Sequence, residues 1–456
     1  MISVILVAGT KHLLDNKRDG LSSRERISIS FSFRNAFRNI LGRLSLKDNK
    51  LDDKSSTLLK TISLILFLVW VFLSILWSFY KPIAIYRSLT LLEIILFAII
   101  LYKLINTRKW LKIAFFSLIL SGIFQSVLGI AQFIHNGSLG LSMLGESQIS
   151  PQIDGVAKII INSEKHIRAY GTFPHPNVLA GFLVMPLFTV ILETVERYRI
   201  RLNPQNLFAS HETLLDKVVS NKILFFSLVI ISIGLILTFS RSTFLGIFIA
   251  TLFFIIKAIK DRKVKMPVKT VFLAITMIGI TLCFLTFSTS FLSNQSIQER
   301  ISQLNVSRET ILKNPIKGVG IGQFIFDVYQ NHKNLEGWQY QPAHNAYLLV
   351  FSELGVVGLT LFIIYVLMKL VGALKQIAEM PKFGLYKPFF YILIAYLVIM
   401  LFDHYFWDIK TGTITFALNI AFLSLAARNI STAQNCKSTK KLRMQTIRQS
   451  RLYKPV

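Results

Sequence analysis

The stretch that decides the fold is one in which a polar loop gives way to a long apolar run, Gln341-Pro342-Ala343-His344-Asn345-Ala346-Tyr347-Leu348-Leu349-Val350. Roughly 20 helical residues suffice to cross the apolar core of a bilayer, which is about 30 Å thick. We therefore predict a membrane-spanning helix over residues 345–369, with His344 at its mouth. Because an imidazole can move a proton near neutral pH, His344 is the first candidate for chemistry.

Apolar runs of the same kind recur along the whole chain. Of the 456 residues 53% are hydrophobic, and 37 are Phe. We predict an all-α polytopic membrane protein with about ten spans, over residues 57–79, 83–103, 111–134, 174–196, 222–239, 242–258, 270–291, 345–369, 385–402 and 411–428. Two long connections, 135–173 and 292–344, are expected to face outward and to carry short interfacial helices.

The charge of the chain is strongly positive, since 51 Lys and Arg outnumber 23 Asp and Glu, for a net charge of +28. Nucleic-acid binding is a poor explanation, because the basic residues are spread over short segments between apolar runs and over both tails. Cytoplasmic segments of membrane proteins carry this bias. We predict cytoplasmic segments over residues 1–56 and 429–456, around a membrane domain over residues 57–428.

The sequence predicts neither a metal site nor a cofactor. The two cysteines, Cys283 and Cys436, lie far apart and support neither a disulfide framework nor a metal cluster. The predicted outward loops lack the carboxylate and histidine pairs that usually hold a metal, and the chain has no phosphate-binding loop of a nucleotide-driven pump.

Three stretches place polar residues where the predicted spans end. The first is Arg168-Ala169-Tyr170-Gly171-Thr172-Phe173-Pro174-His175-Pro176-Asn177. Its two prolines free backbone groups to face a cavity, although a helix cap with interfacial aromatics explains it as well. The last of the three in the chain, over residues 403–408, contains Asp403, His404, Trp407 and Asp408 and is equally consistent with an interfacial anchor.

The second stretch, Ser240-Arg241-Ser242, places an arginine on the predicted outward side, where basic residues are depleted. A lipid headgroup or a substrate phosphate would satisfy it. Arg300 lies in a predicted amphipathic helix over residues 297–312, and an ion pair with Glu299 or Glu309 is the plain alternative. Glu353 lies inside the predicted eighth span, where a carboxylate is a functional candidate or a bridge between helices.

Taken together, these stretches resemble the O-antigen ligase and polymerase family of bacterial membrane glycosyltransferases over roughly residues 165–370. The matching pieces, in order, are Arg168…Gly171-Thr172-Phe173…Pro176-Asn177, Ser240-Arg241-Ser242, Glu299-Arg300, Pro315…Gly318-Val319-Gly320-Ile321-Gly322…Phe324 and His344-Asn345-Ala346-Tyr347-Leu348…Glu353-Leu354-Gly355. One departure is Leu304, where the family often has a tryptophan.

The resemblance implies an enzyme of the bacterial inner membrane whose site faces the extracytoplasmic side. The donor would be a glycan on a polyprenyl diphosphate, and the acceptor a sugar hydroxyl on another glycan or on a lipid core, without metal and with inversion at the anomeric carbon. It implies catalytic roles for His344, Arg241 and Arg300. Binding roles are implied or proposed for Arg168, His175, Asn177, Asn345, Gly318, Gly320, Asp403 and His404.

A transporter of a small anion such as bicarbonate, or a flippase for lipid-linked glycans, is the competing class. A carrier commonly has internal repeats and a site near the middle of the membrane. The chain shows no repeat, and its polar stretches lie at predicted span ends. The motifs do not separate a ligase from a polymerase, and they define neither the sugar nor an oligomeric state.

Overall fold

The computed structural model describes residues 53–202, 220–260, 294–333, 340–379 and 387–425. The chain forms two compact units, Met1–Leu66 and Phe67–Val456. The described part of the first unit belongs to the beginning of a helix. The second unit contains the remaining described elements and every candidate residue named above.

The described residues are mainly helical. The helices are α1 (Asp53–Leu73), α2 (Lys81–Leu104), α3 (Arg108–His135), α4 (Pro176–Leu202), α5 (Asn221–Ile236), α6 (Arg241–Lys260), α7 (Asn294–Lys313), α8 (Phe324–Asn331), α9 (Ala346–Glu379), α10 (Lys387–Ile399) and α11 (Tyr405–Asp408), followed by α12 over residues 410–425. Between α3 and α4 lie two strands, β1 (Lys158–Ile161) and β2 (Glu164–Ile167). The prediction of a mostly helical chain is confirmed.

Within the part of the chain that the structure describes, four helices are long and apolar enough to cross a membrane: Leu58–Leu76, Lys81–Leu104, Lys109–His135 and Ala346–Leu374. They correspond to the predicted spans 57–79, 83–103, 111–134 and 345–369. Shorter apolar helices, Pro176–Ile191, Asn221–Ile236, Arg241–Phe254 and Phe389–Ile399, lie at four further predicted spans. The predicted span 270–291 lies outside the described residues, and the total of ten stays a prediction.

The segment between α3 and α4 contains a hairpin that we did not predict. Strands β1 and β2 pair antiparallel, with Lys158 opposite Ile167 and Ile161 opposite Glu164. The two turn residues, Asn162 and Ser163, have φ of 50° and 67°. Two left-handed residues in succession give the tight turn that suits the twist of a two-stranded hairpin, and β-branched isoleucines favour the strand before it.

A polar hub fixes this segment on the end of α3. The Gln132 side chain donates to the Glu146 carboxylate at 2.8 Å and to the Gly171 carbonyl at 2.9 Å. The same carboxylate accepts from the backbone N–H groups of Leu139 and Leu141. Burial favours the neutral carboxyl, but these donors outweigh it and hold the pKa of Glu146 below its ordinary value.

Helix α9 has a kink that receives the glycine-rich stretch 314–322. The kink is at Gly355, whose φ of 67° and ψ of −173° are not helical. The freed Glu353 carbonyl accepts from the Gly320 N–H at 2.8 Å. The Leu354 carbonyl accepts from the indole N–H of Trp70 at 2.9 Å. Groups that the kink frees are therefore satisfied by other parts of the chain, as an apolar environment requires.

Helix α7 confirms the predicted helix over residues 297–312. Over residues 300–313, the buried residues Ser307 and Thr310 are polar, whereas Ile301, Leu304 and Leu312 are exposed. The helix packs against α8 and α9, and the Thr310 hydroxyl donates to Asp327 of α8 at 2.6 Å. The apolar stripe that we predicted to face the membrane interface thus faces away from the packed helices.

Candidate active site

The ends of several helices meet around the carboxylate of Asp403, which is only 4% exposed. One oxygen of Asp403 accepts from the Asn177 amide at 3.1 Å, and the other accepts from the Ser242 hydroxyl. The Nδ1 atom of His344 lies 3.8 Å from the first oxygen. We define the Asp403 cluster as Arg168, Asn177, Ser242, His344, Asp403, His404 and Asp408.

The Asp403 carboxylate is held in its charged form. Burial alone raises the pKa of Asp403, but the neighbouring His344 imidazole and the Ser242 hydroxyl more than compensate, and the pKa lies below its ordinary value. A buried carboxylate that keeps its charge favours a positive charge on an adjacent imidazole. This is the relation that a general base requires of the group behind it.

Arg168 joins the first polar stretch to this carboxylate. Its guanidinium donates to the Asn177 side-chain oxygen and to the Thr238 carbonyl, both at 2.6 Å. Burial lowers the pKa of Arg168 to about 10; the charge of Asp403 opposes this change, and that of Arg241 adds to it. Arg168 is therefore charged at neutral pH and lies within electrostatic range of Arg241.

Arg241 is the first residue of α6 and is exposed, while Ser240 and Ser242 on either side of it are buried. The Ser240 hydroxyl lies 3.0 Å from the Thr243 hydroxyl, and the Ser240 carbonyl accepts from the Phe244 N–H at 3.1 Å. The serine-rich start of α6 thus fixes the backbone from which the Arg241 side chain extends.

His344 is positioned by the start of α9. The neighbouring Asn345 caps this helix, because its side-chain oxygen accepts from the Leu348 N–H at 3.0 Å, and its amide donates to the Leu401 carbonyl at 3.0 Å. The His344 side chain is 31% exposed. Among the described residues, its buried Nδ1 has no hydrogen-bond partner within normal distance.

The tightest histidine–carboxylate pair of the cluster is His404 with Asp408. The Nδ1 atom of His404 lies 2.8 Å from both carboxylate oxygens of Asp408, and the His404 and His344 ring centroids are 5.4 Å apart. Burial lowers the pKa of His404, but the charges of Asp408 and Asp403 outweigh it, so that the pKa lies above its ordinary value.

His175 lies next to the cluster in a different electrostatic state. Its Nδ1 accepts from the Asn177 backbone N–H at 3.1 Å, and its ring meets that of Tyr170 edge to face. Burial, helped by the charge of Arg168, lowers the pKa of His175 to about 3. This imidazole is neutral at physiological pH and is a weaker base than His404.

Other candidates lie outside the Asp403 cluster. Arg300 is exposed on α7, and among the described residues no hydrogen bond joins it to the cluster. A Cβ at Gly318 would lie 2.4 Å from the Glu353 backbone, and one at Gly320 would lie 2.0 Å from the Ser78 hydroxyl. The two glycines therefore allow a close approach of backbones, and their predicted binding role stays a prediction.

Arg87 of α2 is a residue that our sequence analysis missed. Its guanidinium donates to the backbone carbonyls of Asp408 and Trp407, the latter at 3.0 Å. The Trp407 indole in turn donates to the Glu353 carboxylate at 2.8 Å, so the predicted intramembrane carboxylate does bridge helices. An arginine in the first turns of an apolar run is energetically costly without partners. The position of Arg87 in such a run could therefore have indicated from the sequence that it has one.

The arrangement defines a class of protein: a helical membrane protein with a polar, charged cluster where several helices end. No group of three or more His, Cys, Asp or Glu able to hold a metal ion occurs within the described ranges. The chemistry on view is that of proton transfer at paired imidazoles and of anion binding by arginine.

The comparison with known families agrees with the motifs. Residues 226–363 match the family model described as O-antigen ligase, which confirms the resemblance to the O-antigen ligase and polymerase family. The match covers Arg241, Arg300 and His344, whereas Arg168 and Asp403 lie outside it. It supports a membrane glycosyltransferase of this general type, acting in polysaccharide synthesis. No curated protein matches the chain.

Proposed function

We propose that the protein transfers a glycan from a polyprenyl diphosphate to a sugar hydroxyl, at the extracytoplasmic face of the bacterial inner membrane. The observation that carries the proposal is the Asp403 cluster, because it brings the predicted base, His344, beside a buried carboxylate that is linked to Arg168. The match with the O-antigen ligase family over residues 226–363 supports the same activity.

His344 is the general base of this reaction. The acceptor hydroxyl gives its proton to the imidazole while its oxygen forms a bond to the anomeric carbon, and the bond from that carbon to the diphosphate oxygen breaks. The electron pair leaves with the diphosphate, and a single displacement inverts the anomeric configuration. The Asp403 carboxylate, 3.8 Å from His344 Nδ1, stabilises the imidazolium that forms.

Arginines neutralise the leaving diphosphate in place of a metal ion. Arg241 is exposed at the start of α6 and lies within electrostatic range of Arg168, and a planar guanidinium can bind two phosphate oxygens at once. Arg300 is exposed on α7, and in this proposal it contacts the diphosphate only once the substrate is bound. Positive groups placed where negative charge develops lower the barrier of such a transfer.

The proposed topology has ten spans, with residues 1–56 and 429–456 in the cytoplasm. It is supported by the four long apolar helices and the four shorter ones and by the basic residues between them. A membrane-impermeant thiol reagent should label cysteines introduced at 140–165 in intact cells and should not label those at 260–265. Labelling at 260–265 would reverse the orientation and the assignment of the site to the outside.

The activity is tested with the purified protein in lipid vesicles that contain an undecaprenyl-diphosphate oligosaccharide and a soluble sugar acceptor. We expect a new glycosidic bond of inverted configuration, one polyprenyl diphosphate released per transfer, and full activity in the presence of a chelator. Anion uptake by the vesicles without any transfer would favour the transporter instead. In cells, a deletion strain with single repeat units would indicate a polymerase, and one with unattached lipid-linked polymer a ligase.

A further inference from the structure

His404 has the geometry of a fixed proton-bearing group. Its Nδ1 lies 2.8 Å from both oxygens of Asp408, so Nδ1 carries a proton and Nε2 is the ring atom left for other contacts. Asp408 is one helical turn further along α11. The His404 side chain is 15% exposed, which leaves part of the ring open at the surface that it shares with His344.

Arg87 fixes the short helix that carries this pair. It donates to the last two carbonyls of α11, those of Trp407 and Asp408, which have no partner within a helix of four residues. The Trp407 indole is held at the same time by Glu353. The short helix α11 is thereby attached both to α2 and to α9. The orientation of the His404–Asp408 pair is therefore set before any ligand binds.

The carboxylates around His404 favour its protonated form, which can donate a hydrogen bond to an anion. Asp403 and Asp408 lie on the same segment as His404, and both carboxylates have partners. Asp403 accepts from Ser242 and Asn177, and Asp408 pairs with the His404 ring itself. The groups near it on neighbouring elements are the imidazoles of His344 and His175, and Arg87 lies behind α11. A protonated His404 brings a positive charge to the surface that it shares with His344, while the two neighbouring carboxylates already have partners.

We propose that His404 is a further residue for binding the donor: in its protonated form it donates its Nε2–H to an oxygen of the polyprenyl diphosphate. This inference rests on the proposed function and adds a ligand to the arginines already named. His404 lies within one ring-to-ring contact of the proposed base, so an oxygen that it holds is close to the reacting carbon. Charge-assisted hydrogen bonds to phosphate are stronger than neutral ones.

The proposal has a definite pH dependence. Asp408 and Asp403 keep the pKa of His404 above its ordinary value, so the ring stays protonated to a higher pH than an ordinary imidazole does. The contact is fully present at low pH and is lost as the pH rises through that raised pKa. Binding of the donor, and not only its turnover, should follow this titration.

The test measures the affinity of the full-length protein in lipid nanodiscs for farnesyl diphosphate, a short polyprenyl diphosphate, between pH 6 and pH 8.5. His404→Gln should bind farnesyl diphosphate about tenfold more weakly than the wild type at pH 6, because one charge-assisted hydrogen bond is lost. Its affinity should also vary less with pH than the affinity of the wild type does. Asp408→Asn should move the loss of affinity to lower pH. His344→Gln should keep the wild-type pH dependence of binding.

The control is His332→Gln, because His332 also pairs with a carboxylate, that of Glu309, at 3.3 Å, but lies on the α7 side of the protein. It should bind like the wild type at every pH. Wild-type affinity in His404→Gln, or a defect confined to turnover, would overturn the inference while leaving the proposed function intact. A wild-type protein that transfers no glycan would instead contradict the proposed function.

Discussion

The Asp403 cluster and helix α7 both contain residues that are proposed to act in the same transfer, yet they are built in opposite ways. In the cluster, Arg168 and Asp403 are tied to fixed partners at the ends of helices. On α7, Arg300 is exposed, and the apolar residues Ile301 and Leu304 are exposed as well. One region is organised without substrate, whereas the other presents its groups to whatever binds there.

The difference determines whether the charged groups are ordered during folding or only when the substrate binds. A preorganised polar site does not have to be rearranged when charge develops, and for this reason it lowers the barrier. An exposed arginine has to be ordered by the substrate and contributes mainly to its binding. We therefore expect changes at His344 and Asp403 to lower the turnover rate, and changes at Arg300 to lower the apparent affinity for the donor.

The largest expected effect comes from comparing a histidine in each region. His344→Ala removes the proposed base and should lower transfer by about 10²–10⁴-fold with near-normal donor binding, since general-base catalysis contributes that much. His332→Ala removes a histidine beside α7 that has the same side-chain exposure as His344 and pairs with Glu309, and it should leave transfer within about twofold. Initial rates of glycan transfer by the purified variants measure both.

Equal losses in the two histidine variants would show that the regions do not differ in the way we describe. Near-native transfer by His344→Ala, together with an inactive His404→Ala, would identify His404 as the base. His175 is the weaker rival, because its Nδ1 is occupied by the Asn177 N–H and its pKa is about 3.

The second effect separates the arginines. Lysine keeps the charge but cannot reach two partners in one plane. Arg168→Lys should lose its bonds to Asn177 and Thr238 and so lower both transfer and the free energy of unfolding, the latter by about 1.5–3 kcal/mol. Arg300→Lys should raise the KM for the donor about tenfold and leave the unfolding midpoint unchanged. An unchanged midpoint in Arg168→Lys would contradict the fixed geometry of the cluster.

The parts that could be predicted from sequence are those with a local pattern. The apolar runs indicated the helices, whereas the close contact of residues 314–322 with α9 was not predicted from the prolines and glycines of that stretch. The His404–Asp408 pair also lies four residues apart on one helix. Three other contacts could not be predicted, because they join residues that are distant in the chain or that belong to a loop without a regular pattern. These are the bonds from Gln132 to Glu146, from Asn177 to Asp403 and from Arg87 to the end of α11.

A third effect, on stability, compares two glycines with left-handed backbones. Gly318 has φ of +69° and lies against the backbone of Glu353, whereas Gly140 has φ of +80° and nothing within 4 Å of an added Cβ. Gly140→Ala should cost about 1 kcal/mol for the backbone conformation alone. Gly318→Ala adds an overpacking cost of about 1–3 kcal/mol. Thermal unfolding in detergent should rank them accordingly; equal midpoints would mean that the 314–322 stretch is not tightly docked.

The smallest effect is the response to acid, and it again contrasts the two regions. The pKa of Asp403 and that of Glu309 on α7 both lie below their ordinary values, the first despite burial and the second through its contact with Lys313. For a carboxyl whose folded pKa is lowered, the added stability is present above the ordinary pKa and is lost as the pH falls through the lowered one.

Salt distinguishes the two carboxylates, because it screens exposed charges much more than buried ones. Glu309 is half exposed, so Glu309→Gln should flatten the acid dependence of the unfolding midpoint slightly, and only at low ionic strength. Asp403→Asn should flatten it at high ionic strength as well. If salt abolished the acid response of the wild type completely, the Asp403 carboxylate would have to be open to solvent. The His344–Asp403 pair could not then act as a buried base and counter-charge.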